Sequence, residues 1–404
     1  MTPTPPSSRT IVIITLLVAL GPLATDLYLP ALPILTEAFH TNSSKVQLTL
    51  SIYFIGFAVG QLIYGPLSDR FGRKPVMLGG MLLFVVCSGA AVYAGSIESL
   101  IAIRLLQALG GCVGPVLGRA MVRDLYTPAE AGRVLSHIAS AMALAPAFAP
   151  IIGGYLTVLF GWEANFWLLL GYGLLVLTAL VFGIPETVPQ KNPRATNIRQ
   201  LLANYLTLAR HPVWRRNTLI CSFIFAGLFA FLSGSSFVLI DYLGVSEQGY
   251  GFLFALVVAG FITGSQISAR LSRRTSAPTI IRYGCWVGLL AGLAMLGLSL
   301  SGVHSVAALV GPQFFYMMAV GMVMPHTLAG ALAPFPHMAG TVSALFGTVQ
   351  MLIAALHGGL VGHFHTGTPT AMVIGIAFPG LMAFVLMWGL RRKEQPDHKH
   401  AHGS

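Results

Sequence analysis

Charge is what this sequence has least of. Only 9% of its 404 residues are Asp, Glu, Lys or Arg, against about a quarter in a water-soluble globular chain. With 55% hydrophobic residues and a mean hydropathy of +0.78, too few polar groups exist to cover a folded surface, which excludes a water-soluble enzyme. The four cysteines, Cys87, Cys112, Cys221 and Cys285, sit in apolar runs with no C-x-x-C spacing, so neither a disulfide framework nor a metal site is expected. No G-x-x-x-x-G-K-[ST] loop is present, which disfavours ATP drive. H-E-x-x-H and G-x-S-G are absent too, so no catalytic residues are assigned and the chain is not read as an enzyme. Alternation of strand type over about ten residues does not recur, which argues against a β-barrel.

What the chain has is apolar length. Runs of 20 to 25 residues fall at 10–33, 46–66, 75–94, 97–118, 136–160, 164–184, 217–240, 250–269, 279–301, 304–328, 339–362 and 369–390. About 20 apolar residues in a helix cross a bilayer, so the expected fold is an all-α membrane protein of twelve transmembrane helices.

The few charges are placed one-sidedly. With the N-terminus inside, all of the 23 Lys and Arg except Lys45 and Arg104 fall on the inner side. That is the asymmetry of cytoplasmic loops and cytoplasmic termini. It also explains the net charge of +11 without nucleic acid, since no aromatic-basic module accompanies it; the basic residues face an anionic leaflet.

The longest polar stretch, 185–216, divides the chain. The expected organisation is a six-helix bundle over 1–184, a cytoplasmic linker over 185–216, a second bundle over 217–391 and a tail over 392–404. Ser68-Asp69-Arg70-Phe71-Gly72-Arg73-Lys74 aligns with Ser268-Ala269-Arg270-Leu271-Ser272-Arg273-Arg274 at an offset of 200 residues. Each stretch joins the second and third spans of its half, as in the internal repeats of transporters.

The most specific motif is Gly65-Pro66-Leu67-Ser68-Asp69-Arg70-Phe71-Gly72-Arg73-Lys74-Pro75. Gly72 suits a backbone position of positive φ. Asp69 is expected to meet a cation or a helix N-terminus and so to hold a gate. This loop resembles the signature of the major facilitator superfamily, with a match at Gly65, Asp69, Arg70, Gly72, Arg73 and Lys74. Further segments narrow the resemblance: Asp26-Leu27-Tyr28-Leu29-Pro30-Ala31-Leu32-Pro33 in the first helix, Arg104-Leu105-Leu106-Gln107 in the fourth, Ala145-Pro146-Ala147-Phe148-Ala149-Pro150 with Gly153-Gly154 in the fifth, and Phe335-Pro336-His337 before the eleventh. Together they look like the Bcr/CflA group of drug:proton antiporters, although Ala149 stands where the group's fifth-helix pattern usually has Gly.

The resemblance implies a monomeric exporter of small, partly hydrophobic drugs in a bacterial inner membrane. It would need no cofactor, with protons as the coupling ion and drug, proton and lipid bilayer as its partners. Pro146, Pro150, Gly153 and Gly154 would form a flexible, sealed contact. A proton-coupled carrier of a small metabolite is the alternative. The residues agree on where coupling would occur. Asp26 and Arg104 are charges at similar depth within apolar helices, and such charges are functional by default. An Asp26–Arg104 pair or near-pair across a central cavity is expected. Burial and a cation act on a carboxylate in opposite senses, so the balance can follow which side the cavity faces. Tyr28, Tyr53, Met142, Phe223, Phe225, Phe314, Phe315, Tyr316, Met317 and Gln350 are candidates for cavity lining, being aromatic, soft or polar residues within helices.

Overall fold

The computed structural model describes residues 8–188 and 190–388; the tail expected over 392–404 lies outside the described residues. Every regular element in the described residues is helical. Twelve helical stretches are long and apolar enough to cross a membrane. The first is α1 (Ser8–Asp26), a 3-10 turn (Leu29–Ala31) and α2 (Leu32–Ala38). It is followed by α3 (Ser43–Phe71), α4 (Arg73–Val92), the paired α5 (Ile97–Gly111) and α6 (Val113–Leu125), α7 (Pro128–Phe160) and α8 (Glu163–Gly183). A short helix, α9 (Ile198–Arg210), leads to α10 (Pro212–Ser236), which ends in a π-helical turn (Phe237–Tyr242). Then come α11 (Glu247–Leu271), α12 (Ala277–Leu300), α13 (Val306–Leu332), α14 (Ala339–His363) and α15 (Thr370–Trp388).

The twelve expected spans are all present, but three features depart from expectation. The first span is broken. Pro30 has no N–H and its ring would collide with the carbonyl four residues back, that of Asp26. The α-helix accordingly stops at Asp26, with Leu27 N–H still bonded to Leu23 at 3.2 Å and the chain resuming as a 3-10 turn. Asp26 thus lies twelve residues before the end of the span at Ala38, deeper than a single helix over 10–33 implies. Second, the linker is not all loop, since it contains α9. Third, the signature loop is one residue long: α3 runs to Phe71 and α4 begins at Arg73, with only Gly72 between them. Gly72 has φ +110°, and a Cβ there would strike the Glu186 carboxylate, so glycine is required twice over.

Successive spans run in alternate directions. One end of the bundle carries Arg70, Arg73, Lys74, Arg123 and Arg270 and is called the basic end here. The other carries Glu37, Glu98, Glu163, Asp241 and Glu247 against a single Lys or Arg among the described residues, Lys45. Lys45 pairs with Glu98 at 2.7 Å, an exposed bridge of the kind that adds little stability.

Two long seams join the first six spans to the last six, α3 on α14 and α7 on α11. On the α3–α14 seam, Gly347 and Gly362 admit the side chains of Gln61 and Gln47. Thr348 donates to the Ala58 carbonyl at 3.0 Å, and beside the seam Ser233 of α10 donates to Gln47 Oε1 at 2.9 Å. Small residues and buried hydrogen bonds replace the hydrophobic effect as the cohesive element where the surroundings are apolar too.

Candidate functional site

The break in the first span creates the site. With no helical turn following Asp26, the Ala24 carbonyl is free to accept from outside the helix. Arg104 Nη1, from the middle of α5, donates to it at 3.0 Å and to Gln107 Oε1 at 2.7 Å. A cation at a helix C-terminus also meets the negative end of the macrodipole. Gln107 is passed on through Ser88, which its Nε2 reaches at 2.8 Å, to the Phe84 carbonyl at 2.7 Å.

Arg104 is wholly buried. Its guanidinium lies 4.2 Å from the ring centre of Tyr53 and 4.7 Å from that of Tyr28, with Phe166 at 6.0 Å. A desolvated cation–π contact stabilises by about 2 kcal/mol and a hydrogen bond from a charged group by about 1.5–3 kcal/mol. These offset the several kcal/mol that burying the charge costs. They leave Nε and Nη2 of Arg104 without a partner, together with the Tyr53 hydroxyl. The Tyr28 hydroxyl is engaged with Thr49.

Asp26 is 5% exposed and its one side-chain hydrogen bond is from Thr25 at 2.9 Å. No direct ion pair joins it to Arg104, so of the expected pair or near-pair the direct contact is not made. The guanidinium is held by the carbonyl two residues earlier and by its aromatic cage, and α11 and α10 lie against the 3-10 turn that follows Asp26. Tyr250 of α11 shares a hydrogen bond with Ser235 at 2.9 Å. The site therefore contains a carboxyl group and a guanidinium cation, both buried and not in direct contact, with α10 and α11 of the second half on one side.

The fifth-span residues meet this same place. Pro150 is buried in α7 and Pro146 half-buried. Gly153 lies so close to the Leu27 carbonyl that a Cβ would overlap it, and Gly154 sits as tightly against the Glu247 carbonyl of α11. From the other side Gly251 would place a Cβ 2.6 Å from Ile151 Cα. One turn of α7 is thus wedged between the broken span and α11.

At the basic end the signature residues form a network. Arg73 donates to Asp69 at 2.5 Å, to Ser68 at 2.6 Å and to Asp124 of α6 at 3.0 Å. Asp69 meets a cation, as the motif implies. Lys74 donates to the Val181 carbonyl at 2.9 Å, Arg70 to Thr196 at 2.6 Å, and Gly65 has open space beside it. Glu186 accepts from the backbone N–H groups of Arg73 at 2.8 Å and Lys74 at 3.2 Å, capping α4 as a carboxylate should. Desolvation pushes the Glu186 carboxyl up, but donors from Val188, Arg73, Thr187 and Lys74 outweigh it and hold it below its ordinary value. A depressed carboxylate stabilises the fold above its unfolded pKa, about 4.3, and stops doing so as pH falls through the folded value. Glu186→Gln is therefore expected to destabilise the fold at pH 7 by the worth of an exposed cap, about 1 kcal/mol, seen as a lower melting temperature. The gap to wild type should close as the melts are repeated below about pH 4.

Of the lining candidates, Tyr28 and Tyr53 form the Arg104 cage. Met142, Phe223, Phe225 and Phe314 are half-buried. Tyr316 and Met317 are buried in α13, with Tyr316 packed on Gly227 of α10, and Gln350 donates to the Cys221 sulfur at 3.7 Å. Phe315 is 53% exposed on the outward side of α13, between the faces that pack on α11 and α12, and does not line the interior. Residues that sequence reasoning passed over are Ser88 and Gln313; Gln107 was read only as part of the fourth-helix motif, without a role. Gln313 is fully buried in α13 with both amide atoms unpartnered. Its signal was a lone glutamine in an apolar run, the same that drew attention to Gln350. Arg119 and Arg123, one turn apart, are exposed on the side of α6 turned away from its contacts with α1 at Gly114 and Gly118 and with α4 at Val113.

A family model described as the Major Facilitator Superfamily matches residues 14–358. The chain belongs to that superfamily. Its members are transporters rather than enzymes, and the twelve apolar helices make this one a multi-pass membrane protein. The bicyclomycin resistance protein homolog of Haemophilus influenzae is 32% identical over 357 residues, covering 88% of this chain and 89% of the relative. The multidrug resistance protein D of Escherichia coli is 33% identical over 340 residues, covering 84% and 85%. The fold matches that of the E. coli xylose transporter in a partially occluded inward-open conformation, with a TM-score of 0.75 at 15% identity, over 95% of this chain and 97% of that one.

Proposed function

We propose that this transporter exports small, partly hydrophobic drugs from a bacterium across its inner membrane, as a monomer, in exchange for protons. The observation that carries the reading is the buried, unpaired acid beside a buried, caged guanidinium at the break of the first span. Drug-resistance relatives at about a third identity support the substrate class. The basic end faces the cytoplasm, following the positive-inside rule, and Arg119 and Arg123 flank the approach from that side.

In this mechanism Asp26 carries the proton. Drug enters from the cytoplasmic side and binds with Asp26 ionised, its polar acceptor meeting the free Nε and Nη2 of Arg104. The two halves rock about the site, with the α3–α14 and α7–α11 seams as the moving contacts. On the outer side a proton neutralises Asp26, drug leaves, the protonated site returns, and Asp26 releases its proton to the cytoplasm before drug binds again. The Asp69–Arg73–Asp124 network and the linker hold the cytoplasmic ends of α3, α4 and α6 as one piece.

The test is export in inverted vesicles with an imposed pH gradient and a panel of antibiotics, bicyclomycin and chloramphenicol among them. Wild type should accumulate at least one compound in proportion to the gradient, and Asp26→Asn should not. Gradient-dependent accumulation of amino acids or sugar derivatives, with no drug moved, would overturn the substrate class in favour of metabolite transport.

A further inference from the structure

Helix α9 belongs to no span. It has about 20 Å of length at 1.5 Å per residue, and its faces are distinct. Placing Ile198 at 0° on the helical wheel, Leu202 and Leu206 follow at about 40° and 80°, and Arg199 and Arg210 at about 100° and 120°. Thr207 and Gln200 occupy the far side. The opposite flank, Leu208, is buried with Trp214, Ala331, Val342 and Phe346. Ile198, Leu202 and Leu206 are not covered by the protein: they are 71%, 61% and 50% exposed. Three adjacent apolar side chains thus stand open beside two exposed arginines on one edge, with exposed Lys191, Arg194 and Arg215 nearby.

We propose that this face of α9 lies in the membrane interface, its leucines among the acyl chains and Arg199 and Arg210 on anionic lipid headgroups. Position and charge select this occupant. The helix follows a span that ends at Gly183 and meets the next at Pro212, so it is held at the level where the bundle leaves the bilayer. An apolar stripe bordered by arginines is the pattern of interfacial helices, and the leaflet is cytoplasmic on the orientation proposed above. The linker also ties this helix to both halves. Asn192 N–H donates to the Asp69 carbonyl at 2.9 Å and Thr196 accepts from Arg70 at 2.6 Å, while Leu208 packs at the basic ends of α10, α13 and α14. Lipid bound at α9 therefore bears on the signature turn.

The test uses the full chain in nanodiscs with a polarity-sensitive dye on Leu202→Cys or, separately, Thr207→Cys. The four native cysteines are buried, and unlabelled wild type measures their background. Brominated lipid should quench the dye at position 202 about threefold or more over that at 207, as a one-sided interfacial helix requires. Replacing a third of the phosphatidylcholine by phosphatidylglycerol should strengthen the quenching, and Arg199→Gln with Arg210→Gln should remove that gain; inorganic phosphate should not substitute for the lipid. Equal access of acrylamide to both positions would overturn the proposal. So would a dye at 202 shielded from acrylamide and from brominated lipid alike, which would mean that protein covers the face. Quenching indifferent to phosphatidylglycerol would overturn the assignment to anionic headgroups. None of these readouts requires transport, so they stand apart from the test of drug export.

Discussion

Arg104→Lys is expected to reduce export at least tenfold while leaving the protein folded. Lysine keeps the charge and can reach one acceptor, but it cannot lie flat between Tyr28 and Tyr53 at 4.7 and 4.2 Å, nor present the donors that Nε and Nη2 leave free. Guanidinium and ammonium groups are not interchangeable at such stacked sites. Tenfold corresponds to about 1.4 kcal/mol, the lower end of what a hydrogen bond to a charged group is worth. The check is gradient-driven export set beside size-exclusion behaviour in detergent. Export at the wild-type rate in Arg104→Lys would mean that the cage holds the first span together and takes no part in binding.

The second large effect is at Gly153. A methyl group there overlaps the Leu27 carbonyl, directly after Asp26, and backbone cannot yield as a flexible side chain can. Overpacking of this kind costs about 1–3 kcal/mol, enough to move a two-state equilibrium by roughly tenfold or more. Gly153→Ala is expected to disfavour the arrangement in which α7 closes on the broken span, and export should fall about tenfold by the same arithmetic. Gly79→Ala is the control: nothing lies within 4 Å of a Cβ there, and its export should match wild type. Equal rates for the two variants would remove the α7–α1 contact from the transport cycle.

The spans were legible because a bilayer imposes a length and a composition on each of them, and Pro, Gly and charge positions locate the ends within a few residues. The signature turn was legible because it is written in one contiguous segment. The Arg104 partner was not. Which acceptor an arginine finds depends on where a neighbouring helix stops supplying its own donors, and the freed carbonyl of Ala24 is a backbone property with no letter in the sequence. Pro30 carried the clue, since its effect falls on Asp26, four residues back. Helix α9 was overlooked for another reason: its residues are too polar on average to stand out in a scan for spans, and only their angular order shows the apolar stripe. Phe315 and Tyr316 show the limit of residue type as a guide. They are adjacent aromatics in one helix, yet one faces outward and the other is buried against Gly227.

The seam glycines and the Gln313 amide belong to the same account. A buried glutamine with both amide atoms unpartnered is costly, and under the proposed alternating access a partner for it would be supplied by drug or by another arrangement of the halves.

The central claim is that drug and proton compete through Asp26. It is tested most directly by measuring proton release from purified protein in weakly buffered detergent solution as drug is added, wild type beside Asp26→Asn. Wild type should release protons in a saturable, drug-dependent way, and Asp26→Asn should release none. Drug binding without proton release in wild type, or undiminished release in Asp26→Asn, would contradict it.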